Sequence, residues 1–545
     1  MTNPIVNIQV SQQQAPTPSK LQKSGAMLSQ GATNTSPGTF TLLTKAADLT
    51  AILNGALALA TITWSANVAT ATASAPHGIP VGESVLVTIA GATAAAYNGT
   101  YLATSTGTTT FTYSLLTNPG GSASVPGTYT LEDVSELNAM VTSFFGQGSA
   151  QAVWVLELGE GDVAAGVAFL TSWIAANPNT FYSYLVPRFW DGVSQFVTLL
   201  QSFNGLAAKT YFFITTTLQN WRLYPNTDKC ALALIEAPKY GVWPANVLTA
   251  ASYSGGIVTA TTTSAHGVVA GQYFTISGMT PSGYNGTFLA LQGTTGSTLK
   301  YALASDPGAE SVLGTLVASL YSSTGVPSTE FSMAAVFQVT LNYAPGPTNR
   351  MTTLNLAYLF GVTPFPTQGN AALLSTLNAA NINVVGTGAA GGISSTVLIG
   401  GNTLDGKPFR YWYSVDWAQI NVQLNVNAAL INGSNNPQNP IDYNQNGINA
   451  LQQVAATTMA TGVSSGLVLN PVKQTTLTAA DYTQAVDKDT FGGTTLVNAV
   501  PFASYVALNP NDYGSGIYNG FSINYTPLIG FEEITFNINV SSFAG

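Results

Sequence analysis

Tyr97-Asn98-Gly99-Thr100-Tyr101-Leu102-Ala103 returns further along the chain as Tyr284-Asn285-Gly286-Thr287-Phe288-Leu289-Ala290. Upstream of the first stretch lies Val68-Ala69-Thr70-Ala71-Thr72-Ala73-Ser74-Ala75-Pro76-His77-Gly78, and upstream of the second Val258-Thr259-Ala260-Thr261-Thr262-Thr263-Ser264-Ala265-His266-Gly267. Downstream, Phe111-Thr112-Tyr113 and Asn118-Pro119-Gly120 are matched by Leu299-Lys300-Tyr301 and Asp306-Pro307-Gly308. The offset stays between 187 (Tyr97 to Tyr284) and 190 (Val68 to Val258), so two copies of one module are expected, over 61–131 and 250–321. Short β-branched and aromatic runs, punctuated by His-Gly, Asn-Gly and Pro-Gly, predict hairpins of a small β-sandwich or barrel.

Outside the copies the texture changes to alternating helices and strands. Leu131, Val134, Leu137, Val141, Phe144 and Phe145 recur at helical spacing, with Gly146 placed to supply a left-handed C-terminal cap. Val153-Trp154-Val155-Leu156 reads as a buried strand, and Asp162 as the cap of a helix that Asn177-Pro178 stops. A further helix is expected from Asp191 to Phe203, then a strand over Thr210 to Thr215. The segment Leu42 to Leu59 reads as helical, and the α/β pattern resumes at Phe331 to Phe337. Asn370 to Asn381 predicts a helix and Ile382 to Val385 a strand. Trp417 to Ile431 fits both periods, and its length favours a helix, followed by a second over Ile448 to Met459 that ends at Gly462.

Both termini carry alternating apolar residues: Val6, Ile8 and Val10 at the front, Ile534, Phe536, Ile538 and Val540 at the back. Strands of this kind can complete a neighbour's sheet, or form edges in their own domain. These seven residues are the candidate subunit-interaction positions. The fold class expected is α/β (α+β): a host core with two inserted, homologous, small all-β domains and extended N- and C-terminal strand arms. The boundaries are an N-terminal arm over 1–20, the start of the core over 21–60, the first β-domain over 61–131 and α/β core over 132–249. The second β-domain over 250–321, a C-terminal core domain over 322–530 and a C-terminal strand arm over 531–545 complete the chain.

Charged residues make up 7% of the 545 residues, against about 25% in ordinary soluble proteins. Apolar content is 46%, which excludes disorder, so Thr, Ser, Asn, Gln and Gly must supply the polar surface. Lys and Glu are costly to cover and depleted at interface cores, so such a surface suits a chain that packs against copies of itself. A secreted, Thr- and Asn-rich β-protein such as an adhesin shares the composition. Met1-Thr2-Asn3-Pro4-Ile5-Val6-Asn7 has neither the basic segment nor the apolar stretch of a secretory signal, and no apolar run is long enough to span a membrane. Synthesis and retention in a cytoplasm are expected, which fits the single cysteine, Cys230. Net charge is −9 and the 14 Lys and Arg are scattered, which argues against direct nucleic-acid binding.

No catalytic, cofactor-binding or metal site is expected, and the chain is not read as an enzyme. The two histidines, His77 and His266, hold equivalent places before glycine and read as turn residues without metal-ligating neighbours. Gly82-Glu83-Ser84 lacks the Gly-x-Ser-x-Gly pattern of a nucleophile elbow. Gly386-Thr387-Gly388-Ala389-Ala390-Gly391-Gly392 follows a strand, yet Ile393 to Gly401 after it is strand-like and offers no helix N-terminus to a pyrophosphate. Glu132, Asp133 and Glu136 read as complements to a helix dipole. Tyr97, Tyr101, Tyr284 and Phe288 suggest a glycan-binding alternative, in which the modules belong to an adhesin or S-layer protein.

The host segments resemble the contractile tail-sheath proteins of myovirus-like phages. The resemblance rests on Ile5-Val6-Asn7-Ile8-Gln9-Val10 with the Gln-rich Ser11 to Ala15, on Val141 to Gly148, and on Leu377 to Val385. It extends through Gly400-Gly401-Asn402-Thr403-Leu404-Asp405-Gly406 and Tyr411 to Trp417. It implies a sheath of stacked hexameric rings around a tail tube, joined by terminal arms that add strands to neighbouring subunits, with the β-modules outside. The partners implied are copies of the chain, the tail-tube protein, and baseplate and tail-terminator proteins, with no membrane insertion. The place implied is the virion, after assembly in the host cytoplasm. Another virion component is the remaining alternative.

Overall fold

A strand covered on both faces reads as an unbroken apolar run, because neither side needs to meet water. Gly25–Ser29, Tyr211–Thr216 and Ala231–Ile235 are of this kind and are buried at every residue. A computed structural model describes residues 21–530, apart from 66–67, 80, 83, 116–117, 149–150, 218–219, 238–245, 264–265, 267, 269–272, 292, 304, 318–329, 342–349, 366–370, 391–392, 439 and 479–492. Val6, Ile8, Val10, Ile534, Phe536, Ile538 and Val540 lie outside the described residues.

Strands β1 (Gly25–Ser29) and β2 (Phe40–Leu43) precede the first module: β3 (Leu57–Ser65), β4 (Val68–Ala73), β5 (Ser84–Ala90), β6 (Gly99–Ser105), β7 (Thr110–Ser114) and β8 (Thr128–Leu131). Then come α1 (Glu132–Phe145), β9 (Val153–Glu157), α2 (Val163–Ala176), β10 (Ser183–Leu185), α3 (Ser194–Ser202), β11 (Tyr211–Thr216) and β12 (Ala231–Ile235). The second module holds β13 (Asn246–Ser254), β14 (Ile257–Thr262), β15 (Tyr273–Ser277), β16 (Gly286–Leu289), β17 (Thr298–Ala302) and β18 (Thr315–Val317). It is followed by α4 (Ser332–Leu341), α5 (Ala371–Ala379), β19 (Asn383–Ala390) and β20 (Ile393–Ile399).

The host sheet has eight strands in the order β2-β9-β1-β10-β11-β12-β19-β20. The inner six run parallel, and β2 and β20 close the edges antiparallel. Taken along the chain, its first five parallel strands lie 2-1-3-4-5, a doubly wound order whose ligands bind where the order reverses. Successive side chains point to opposite faces. On one face Ala26, Leu28, Phe212 and Ile214 pack with Leu170 of α2, Phe196 of α3 and Leu377 of α5. On the other, the Phe213 ring lies 5.0 Å from Phe337 of α4, which meets Phe144 of α1 at 6.3 Å. Each such ring contributes about 1.5–3 kcal/mol relative to leaving it in water.

The first module is a closed barrel in the order β3-β4-β7-β6-β5-β8, and the second a six-stranded sheet with the same neighbours, β16-β15-β18-β13-β14-β17. In the second, Leu291 N donates to Lys300 O at 2.7 Å between its two outer strands. The repeated Tyr-Asn-Gly has one physical reading in both. The Tyr97 hydroxyl donates to Gly121 O at 2.6 Å and the Tyr284 hydroxyl to Gly308 O at 2.8 Å. Asn98 bonds both the N–H and the C=O of Ala92, at 2.8 and 2.9 Å, and Asn285 does the same to Met279, at 2.8 and 2.8 Å. Gly99 and Gly286 sit at φ of +151° and +152°, where a Cβ would also meet the ring of Tyr101 or Phe288.

Several expectations are corrected. Leu42 to Leu59 is not helical apart from one short 3-10 helix, Ala46–Ala51, at whose start Asp48 accepts bonds from Thr44 N, Thr44 Oγ1 and Lys45 N. The apolar run after it becomes β3, so the modules start at Leu57 and Asn246 and not at 61 and 250. The matching burial of β4 and β14 pairs Val68 with Ile257, one residue earlier than the sequence alignment. Gly146 caps α1 in the right-handed region, at φ −62°, and Gly148 takes the positive φ of +74°. The 322–530 domain is divided, because α5, β19 and β20 belong with the host sheet through β12.

The second compact unit contains the described residues 21–22, 350–352 and 410–530. Its elements are α6 (Phe409–Ser434), α7 (Gln445–Ser464), β21 (Val472–Thr476), β22 (Thr495–Ala499), two short helices, Phe502–Leu508 and Pro510–Gly514, and β23 (Phe521–Asn524). The strands form a sheet in the order β21-β22-β23. Helix α7 is fastened across it by Gln452 Nε2, which donates to Val497 O at 2.7 Å and Thr475 O at 3.1 Å. Asn444 caps α7 by accepting from Gly447 N at 3.0 Å.

Candidate functional site

In a doubly wound sheet the place to look is the crevice at the C-terminal ends of the strands beside the reversal. Here it lies between the ends of β1 and β10, under α1. Leu28, Ser29, Gln30, Asp133, Glu136, Leu137, Met140, Pro187 and Phe189 line a space of about 160 Å³, open solvent included. Small-molecule sites are about 300–1,000 Å³.

The backbone donors that follow β1 and β9 are engaged by the chain itself. Glu157, the last residue of β9, accepts from Gly31 N at 2.7 Å and Gly159 N at 2.8 Å through Oε1. Its Oε2 accepts from Ser29 Oγ at 2.6 Å, Thr33 Oγ1 at 2.7 Å and Thr33 N at 3.1 Å. Gln30 is held likewise, donating to Gly161 O at 2.8 Å and accepting from Trp190 Nε1 at 2.8 Å. Neighbouring Glu160 is pushed up to about 7, by burial first and by the nearby Glu157 second. Through Ser29, which lines the crevice, the Glu157 carboxylate is tied to its wall.

Glu136, read as a dipole complement, is buried and accepts from Arg188 N, so its work is tertiary. Sequence reasoning missed Glu157 and Arg188. A signal existed for the first, since a carboxylate ending an apolar strand in a chain this poor in charge needs donors.

His77 and His266 are buried, their Nδ1 atoms accepting from Ile79 N at 3.1 Å and Val268 N at 3.0 Å, and burial lowers the pKa of His266. Among the described residues no group of His, Cys, Asp and Glu could hold a metal ion. Gly386 to Ala390 lie in β19, which pairs antiparallel with β20, and the described residues directly after the stretch, Ile393–Ile399, are strand and not helix. Cys230 is buried and its thiol is pushed up to about 12 by burial. Tyr97 and Tyr284 are buried, and Tyr101 and Phe288 stack on Tyr113 and Tyr301 at 4.5 and 4.3 Å, leaving these rings in the module cores.

In the second unit, the roots of both chain ends converge on the first turns of α6. Gln22 Nε2 donates to Tyr413 O at 2.9 Å. The next residue, Ser414, donates through Oγ to Leu467 O at 2.8 Å, and Leu467 O also accepts from Leu528 N at 2.9 Å. Leu469 N, in turn, donates to Thr526 O at 2.9 Å. Strands β21 and β23 form the two sides of the small sheet among the described residues. Exposed apolar side chains also occur on this unit, Ile431 at 62% and Ile529 at 51%. No helix among the described residues is long and apolar enough to cross a membrane. Neither the profiles of known protein families nor the curated proteins contain a match to this chain.

Proposed function

We propose that this chain is the structural subunit of a bacteriophage contractile tail sheath, stacking as hexameric rings around a tail tube. Baseplate and tail-terminator proteins are its other partners, and its work is mechanical. The observation that carries this reading is the common root of the two termini on one small unit, at Tyr413, Ser414 and Leu467. Chain ends rooted together beside a three-stranded sheet suit arms that pair with the sheets of neighbours. The low content of charged residues, 7%, is in keeping with a scaffold. A metastable extended lattice then releases free energy as rings rotate into a contracted one, while the arms keep subunits tethered.

Deleting Met1 to Pro18, or Phe531 to Gly545, is expected to leave folded monomers that form no tubes. Circular dichroism, light scattering and negative-stain microscopy of the full chain and the two truncations check this. Normal tubes from either truncated chain overturn the arm-exchange reading.

A further inference from the structure

We propose that Arg188 is a clasp that fastens both connections of the second β-module to the host core. Arg188 follows the C-terminal end of β10, in a 3-10 turn over Arg188–Trp190. Its Nη2 pairs with Glu236 Oε1 at 2.5 Å and also donates to the carbonyl of Glu330. The guanidinium carbon lies 4.3 Å from the centre of the Phe331 ring. Glu236 directly follows β12, on the way into the second module, and Glu330 precedes α4, on the way out. One guanidinium nitrogen, Nη2, therefore holds the outgoing and the returning chain at once while the planar group lies over Phe331, a combination of paired N–H donors and flat ring contact that the compact ammonium of lysine does not reproduce.

The returning side is braced further. The Glu330 carboxylate accepts from Thr363 N at 2.5 Å, Thr363 Oγ1 at 2.7 Å and Ser332 Oγ at 3.0 Å, and Phe331 N donates to Ser143 Oγ of α1 at 2.7 Å. Glu236 and Glu330 are 8% and 5% exposed, so water competes little for these bonds and each is stronger than at the surface. The arginine backbone is itself fixed, its N–H donating to the Glu136 carboxylate. The clasp thus joins α1, β10, β12 and α4 where the chain leaves the host core for the module and returns from it, and releasing it loosens Glu236 and Glu330 together.

Hydrogen–deuterium exchange of the full chain tests this, comparing wild type with Arg188→Lys and Glu236→Gln. The expected result is at least tenfold faster exchange at 234–237 and 330–334 in both variants, with 25–29 and 128–134 unchanged. If Arg188→Lys does not fold, Glu236→Gln alone decides. Unchanged exchange at 234–237 and 330–334 overturns the clasp, and so does acceleration spread equally over 25–29 and 128–134, which would mark a general core role. The outcome is independent of whether the chain forms tubes.

Discussion

The two β-modules share a core and differ at their roots. The first is built into its host: β8 passes directly into α1, since Leu131 is at once the last residue of the strand and the N-cap of the helix. Ahead of β3, Asn54 Nδ2 donates to Gly31 O at 2.9 Å and Thr33 O at 3.1 Å, tying the entry to the end of β1. Tyr129 of this module is pushed up to about 12, by burial and then by Glu160, because the module and the host crevice bury these groups together. The second module is instead held at Glu236 and Glu330 by one guanidinium. The sequence repeat therefore carries the core of the module and not its seat. Equivalent folds attached through different physics respond differently to the same damage.

The largest expected difference comes from the buried tyrosines. Tyr97→Ala and Tyr284→Ala each remove a fully buried ring, at a cost of about 3–5 kcal/mol to their module. In the first module the loss is transmitted through β8 and α1, so calorimetry should show one transition shifted down for the whole host domain. In the second module the loss should split off a separate, earlier transition. Identical thermograms for the two variants would break the comparison.

Glu160 sharpens it at intermediate size. Its folded value, about 7, lies above the ordinary 4.5, so the neutral carboxyl favours the folded state. That contribution is complete below pH 4.5 and is lost as pH rises through about 7. Glu160→Gln should therefore raise stability above pH 7, by up to on the order of 3 kcal/mol, and flatten the pH dependence between 4.5 and 7. Denaturant melts at pH 4 and pH 8 measure it, and equal gains at both would contradict the burial argument.

The smallest effect tests what the modules have in common. Asn98→Ala and Asn285→Ala each remove a side chain that satisfies both backbone groups of one residue, and should cost similar amounts, about 1–3 kcal/mol each. A difference of more than about 1 kcal/mol between them would mean that the repeated turn is not energetically equivalent.

Much of the secondary structure was legible because its causes are local. The spacing of Val134, Leu137, Val141 and Phe144 predicts α1, and Asp162 does cap α2, accepting from Ala165 N at 2.7 Å. Leu42 to Leu59 misled for a local reason too: its apolar density suits a helix, while the Thr44–Asp48 cap and the barrel partners of Leu57 and Leu59 impose turn and strand. The candidate arms were read from alternation alone, and their seven apolar residues lie outside the described structure.

By itself the sequence determined the duplication, which shows as a repeated order of residues, and the β character of its copies, the α/β alternation around them and the lack of charge, which depend on neighbours a few residues apart or on composition. Tertiary structure alone decided that β19 and β20 join the host sheet, that Glu157 gathers the donors of Ser29, Gly31 and Thr33, and that Arg188 meets Glu236 and Glu330. Those partners are separated by most of a module or more in the chain. No local pattern encodes which distant donor a buried charge will find; closure of the sheet brings them together, and the cost of leaving a buried charge unsatisfied holds them there.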